Sequence, residues 1–399
     1  MKLNFGVLVL ISLFTSSAES QSSLRRIDTD AAAGLSAAVV VENCQLIHTT
    51  QILPLDDDAR FHGGTTNAQV DRVLERLEEL MTACHATRER VVKLNVYVAD
   101  AATRDVVRKR LADWFGPGSL PAVSYVATAL PIAEARVALD AVIAIEQTAG
   151  ETAPGFGTLK GSGKNSAWSV LPRGDALYIA GQAEPGELAQ ATWATLDSLL
   201  RTLRHMELDR RHIAAIKCFL QPMDRVAVVD QEVKRFFGAA AIPPVSHVEW
   251  VSGSLPIEIE LIAYAPPIKG SETVSVSATP WLKASPVFSR VARIHGDRRI
   301  YVSGLYSTVD GNGEIQTRDI FRSLGEILTK SGSDMRHLAK ATYYVSDDDA
   351  SAQLNAIRPS IYDPQRPPAA SKAVVKDVAA ERRGIVIDMI AAPAAKAGS

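Results

Sequence analysis

Apolar and polar positions along the chain fall into an order of elements that is written three times. Residues 255–263 read Leu-Pro-Ile-Glu-Ile-Glu-Leu-Ile-Ala, an apolar strand interrupted by acids. Residues 137–143 and 385–391 have the same character, and the acid recurs at the matching place as Asp140, Glu260 and Asp388. A proline-led strand precedes each copy, at residues 121–126, 244–248 and 368–373. The acids lie about 120 to 130 residues apart, the size of a small domain.

Each copy also carries two helical periods. In the first, Val70, Val73, Leu74, Leu77, Leu80, Met81 and Cys84 fall three and four apart on one face, with Asn67 as the expected cap. A strand over 90–98 follows, then a helix over 105–115 that Gly116-Pro117-Gly118 ends. Residues 37–42 and 45–51 read as a pair of strands around Asn43-Cys44, and 53–64 as a loop. The second copy gives strand 176–180, helix 187–205, strand 212–220 and helix 227–237. The third gives 299–303, 317–330, 338–345 and 351–362 in the same order. Residues 150–165 and 266–285, rich in Gly, Pro and Ser, read as linkers, and 21–35 as a loose lead-in.

The expected organisation is therefore α+β: units over 36–147, 166–265 and 286–392, each a mixed sheet with two helices on one face. Strands such as 91–98 are apolar on both faces, so the face away from the helices needs a cover. Three linked copies supply it by packing sheet face against sheet face around a pseudo-threefold axis, a monomer closed as a pseudo-trimer.

Composition narrows the function. A net charge of −2 and a pI near 6.5, without a long Lys/Arg run, give no general attraction for nucleic acid. Cys44, Cys84 and Cys218 are too few and too scattered for a disulfide framework or a metal site, and no metal or other cofactor is expected. Lys2, a short apolar run over 5–14 and the small polar residues after it read as a secretory leader over 1–20. The run is too short to span a bilayer, so the expected location is exported, periplasmic or secreted, with no membrane attachment after the leader is removed.

The motifs Tyr178-Ile179-Ala180-Gly181-Gln182, Phe236-Phe237, Pro243-Pro244-Val245-Ser246 and the 255–263 strand resemble the RidA family, also called YjgF and labelled endoribonuclease L-PSP. The resemblance extends over three tandem copies and implies a chorismate-mutase-like fold, clefts between units, and hydrolysis of reactive enamines and imines. It also exposes a departure. The family's carboxylate-binding Arg on the penultimate strand corresponds here to Val123, Val245 and Ala370, which removes a bidentate anchor from every unit.

By the same resemblance the backbone turn that meets a ligand is Gly181 in unit two and Ser303-Gly304 in unit three, with Thr49-Thr50 in unit one. The family's second-helix Asn is Asn355, against Asp230 and Arg108 in the other units. Residues two past the missing Arg share its strand face, which sends Tyr125, His247 and Lys372 toward the clefts. Asp140, Glu260 and Asp388 are the candidate catalytic acids, or else acceptors that fix strand ends. Two readings follow: an exported RidA-like protein acting on a small molecule in a cleft, or a catalytically silent ligand-binding or scaffold descendant. Ribonuclease activity rests on the family label alone.

Overall fold

The computed structural model describes residues 23–146, 153–160, 165–251, 254–268, 270, 272–282 and 285–394. The leader expected over 1–20 lies outside these. In chain order, β1 (Ser23–Asp30) and β2 (Leu35–Glu42) precede unit one, made of β3 (Gln45–Thr49), α1 (Thr66–Ala83), β4 (Val91–Val98), α2 (Ala101–Phe115), β5 (Ala122–Ala127) and β6 (Val137–Ile145). Next come β7 (Gly155–Gly157) and β8 (Trp168–Leu171), then unit two: β9 (Asp175–Gln182), α3 (Leu188–His205), β10 (Ile213–Leu220), α4 (Val226–Phe237), β11 (Val245–Glu249) and β12 (Ile257–Ala265). After β13 (Val274–Ser277) and β14 (Val291–Ile294), unit three holds β15 (Arg299–Val302), α5 (Gly313–Ser331), β16 (Leu338–Val345), α6 (Asp348–Ile361), β17 (Ala369–Val374) and β18 (Ile385–Ala391).

These strands form three six-stranded sheets of one design: β5-β4-β6-β3-β8-β7, β11-β10-β12-β9-β14-β13 and β17-β16-β18-β15-β2-β1. In each sheet the last two strands are a hairpin that leads into the next unit. The expected pairing of 37–42 with 45–51 is thus corrected. β2 bonds to β1 and β15, whereas β3 bonds to β6 and β8. The reason is the connection between them. The chain passes from sheet to sheet through Asn43 (φ 57), Gly174 (φ 129) and Gly296 (φ 80), left-handed positions that swing it sideways instead of folding it back on itself. The presumed lead-in carries β1, and the presumed linkers carry β7 and β13 at sheet edges.

Packing follows from strand alternation. In β4, Leu94, Val96 and Val98 point to α1 and α2, while Lys93, Asn95 and Tyr97 point to the axis; the other units repeat this. Each helix pair has its own core, and the inner faces meet in two apolar layers. Tyr97, Phe219 and Tyr344 pack at one end, and Val92, Ala214 and Ala339 at the other. α1 is capped by Thr65, whose hydroxyl accepts from Ala68 N–H, two residues ahead of the expected Asn67.

Because β2 completes the sheet of unit three, Val40 lies in the core of that unit and is 3% exposed. Val40→Asp buries an unpaired carboxylate there and is expected to destabilise by at least about 2 kcal/mol. Hydrogen exchange should show protection lost first in β15 and β18, in the third unit and far away in sequence. Loss confined to unit one would contradict the shared sheet.

Candidate functional site

The three acids meet on the axis. Their strand partners are Asn95, Lys217 and Thr342, and all six side chains face inward around a cavity of about 80 Å³. Asp140 accepts from Asn95 Nδ2 at 2.7 Å, Tyr97 OH at 2.6 Å and Ser246 Oγ at 2.8 Å. Glu260 is held by Lys340 Nζ at 2.7 Å and Ser371 Oγ at 2.5 Å. Asp388 meets Lys93 Nζ at 3.2 Å, and that ammonium also donates to Ser124 and Val302 O. Every one of these links crosses from one unit to the next or braces a group that does. Of the six, Lys217 alone has no side-chain hydrogen bond among the described residues; its ammonium stands 5.8 Å from the Tyr97 ring. His48, at the far side of the cavity, is held neutral by burial and by Arg299, which push its pKa down to about 4.

Asp140, Glu260 and Asp388, the expected catalytic acids, thus line the cavity on the axis. Each makes at least one bond to another unit, and none is among the residues lining the two cavities between the units. They act as the buried ionic girdle of the ring.

The clefts lie outside that girdle, and the three have diverged. Between units one and two about 150 Å³ remains. Strand register makes Gln51, not Thr50, the counterpart of Gly181 and Gly304, since Ile52, Gln182 and Leu305 meet equivalent residues of the acid-bearing strands. The Gln51 carboxamide fills the gap by bonding His247 main chain both ways, Nε2 to O at 3.0 Å and N to Oε1 at 3.2 Å. His247 Nε2 lies 3.1 Å from Asp230. Between units three and one the walls bond directly: Gly304 N–H donates to Val123 O, Ser303 Oγ accepts from Val123 N–H, and Tyr306 OH donates to Tyr125 O. Tyr125 is buried there.

The cleft between units two and three is open, at about 560 Å³. It brings together three of the expected residues, Gly181, Asn355 and Lys372. The other four expected binding residues, Ser303, Gly304, Tyr125 and His247, sit at the other two interfaces. Here Gly181 N–H donates to Ser371 Oγ, so the walls stand one side chain apart. Beside Glu184, three further charged residues line it: Glu258, Arg290 and Arg358. Their counterparts are apolar: Ala138 and Val386 for Glu258, Ala167 and Ala37 for Arg290, Leu111 and Val233 for Arg358. The expectation of a cleft without a guanidinium is corrected, because two arginines arrive from other elements, β14's approach and α6.

Glu258 is the most perturbed acid of this cleft. Burial first, then the neighbouring Glu260 charge, push it up to about 7 against the pull of Ser371, Lys340 and Arg290. A Cβ at Gly181 would stand 2.0 Å from Glu258 Oε1, so the missing side chain is what gives this carboxyl its place.

The girdle supplies a stability test. Lys340→Met leaves Glu260 buried without its ion partner and is expected to cost about 3–5 kcal/mol in denaturant titration. Lys217→Met, which strands no hydrogen-bond partner, should cost at least about 2 kcal/mol less. Equal losses would mean the pairs are not what binds the units.

The family profile described as Endoribonuclease L-PSP matches residues 26–145 and 282–392, more than half of the chain. Similar solved structures include a YjgF-family protein from Neisseria meningitidis (20% identity, TM-score 0.24, covering 31% of this chain and 96% of that one). Others are a Rid-family protein of unknown function from Yersinia pestis (21%, 0.28, 31% and 98%) and YEO7 of yeast (25%, 0.23, 31% and 100%). No curated protein matches. With the profile matching its first and third units and the same sheet built three times, the chain belongs to the RidA/YjgF family, labelled endoribonuclease L-PSP, as three tandem copies of the family fold in one polypeptide.

Proposed function

We propose that this protein binds small anionic imines or enamines in the cleft between units two and three and hydrolyses them to the carbonyl compound and ammonia. One observation carries the proposal: the roomiest of the three inter-unit clefts is also the one in which Glu258, Arg290 and Arg358 replace apolar counterparts. Imine hydrolysis needs a proton taken from water and one delivered to the departing nitrogen. A carboxyl poised near neutrality can do both in turn. Arg290, Arg358 and Lys372 offer the substrate's anionic group the charge-assisted bonds that Ala370 cannot.

The proposal retains leader-directed export, supported by the sequence pattern at residues 1–20. Binding without turnover is the second reading, favoured by the loss of the family Arg from all three units. It predicts a ligand in the same cleft with no ammonia release.

Glu258→Gln is expected to lower imine hydrolysis at least about a hundredfold, measured as decay of freshly generated iminobutanoate. If Glu258 takes the proton from water, kcat should rise through pH 7 in the parent and lose that inflection in the variant. The groups around this carboxyl are Glu260 on its own strand, Lys340 and Ser371 from unit three, Arg290 from the β14 approach, and Lys372. A decay rate no faster than buffer would remove the enzymatic reading.

Stability gives an independent check. The folded chain holds the Glu258 proton more tightly than the unfolded chain, whose carboxyl titrates near about 4.3. The stabilisation is thus complete below about pH 4 and is lost as pH rises toward 7. Glu258→Gln should raise the melting temperature more at pH 8 than at pH 4.5, and the reverse order would contradict a raised pKa.

A further inference from the structure

The cations of the open cleft fall into two groups. Arg358 and Lys372 converge on one neutral oxygen: Arg358 Nη2 reaches Asn355 Oδ1 at 2.5 Å and Lys372 Nζ reaches it at 3.4 Å, with a second bond to Ser351 Oγ at 2.9 Å. Neither pairs with a carboxylate among the described residues. Arg358 is 5% exposed, stacks 4.7 Å over the Tyr343 ring, and its Nε has no hydrogen-bond partner. A buried and a half-buried like charge sharing a neutral acceptor repel unless an anion joins them. Burial and the Arg358 charge accordingly lower the Lys372 pKa.

Arg290 stands apart from this pair. Its guanidinium lies 4.8 Å from the Phe288 ring, and the charge it senses is Glu258. The Glu258 charge acts on Lys372 as well, so this carboxyl is within electrostatic reach of both cation groups in the same cleft wall. Among the described lining residues three are basic, Arg290, Arg358 and Lys372, and two are acidic, Glu184 and Glu258. The closed clefts have Ala at the Arg290 position and Leu or Val at the Arg358 position, so neither end is a general feature of the fold.

We propose that the cleft is built for a small molecule with two anionic groups, one held by Arg358 and Lys372 and the other by Arg290, with the reacting carbon between them beside Glu258. Resting on the reading above, this names the substrate class as the imine of a dicarboxylic amino acid. Water adds to the C=N carbon, the C–N bond breaks, and the nitrogen leaves as ammonia. The product is the 2-oxo dicarboxylate, and no oxidant is needed.

Calorimetric titration of the intact protein with succinate, glutarate, butyrate and glycerol 3-phosphate tests the inference apart from turnover. A dicarboxylate is expected to bind at least about tenfold more tightly than butyrate, the scale of one charge-assisted contact. In Lys372→Met that ratio should fall below about threefold; Arg358→Gln, provided it melts like the parent, should act in the same direction. Equal binding of succinate, glutarate and butyrate, or a ratio unmoved by Lys372→Met, overturns the two-ended cleft. Tightest binding of glycerol 3-phosphate also overturns it, because the charge would then sit at one end. Imine assays separate the two claims. Dicarboxylate preference without ammonia release sinks only the hydrolytic reading, and equal turnover of the imines of alanine and aspartate sinks only the dianion.

Discussion

The ring depends on inter-unit bonds made at the axis. Lys340 to Glu260, Lys93 to Asp388 and Ser246 to Asp140 each join two units, and all lie in a layer between apolar ends. Ion pairs in such a place are held only where hydrogen bonds satisfy the remaining lone pairs, as Ser371 does for Glu260; Asp140, which has no ion partner, is held by Tyr97, Asn95 and Ser246 instead. The swapped hairpins add main-chain bonds to the same joints, and the N-terminal β1 and β2 close the circle on unit three. Covalent linkage then frees the three joints to differ.

That freedom is visible in the clefts. In a ring of separate identical chains a substitution appears at every interface, so filling one cleft fills all. Here Gln51 plugs one interface, Gly304 and Tyr306 zip another, and the third gathers Glu258, Arg290 and Arg358. Two joints are filled or zipped shut and one stays open. The missing strand Arg is offset by guanidinium groups from a neighbouring hairpin and from the second helix.

Much of the fold was legible in the sequence, because the strand acids and the helical periods repeat in register. The hairpin exchange was not, since period-two alternation tells which face a residue takes and nothing about which strand it bonds. Of the site, Gly181, Asn355 and Lys372 were found by position in the family pattern. Glu258, Arg290 and Arg358 were not legible from that pattern, because they sit on elements other than the strand position of the absent Arg. A signal for them existed: a charge in one copy where the other two carry Ala, Val or Leu. The acids misled for the opposite reason, since what recurs in all three units belongs to the shared girdle.

The account stands on a single working interface in a ring of three. Binding stoichiometry measures this most directly, by titrating the intact chain with a dicarboxylate and then the Glu258→Gln and Lys372→Met proteins. One site per chain, weakened by Lys372→Met, is the predicted result. Three equivalent sites, or one site indifferent to Lys372, would contradict it.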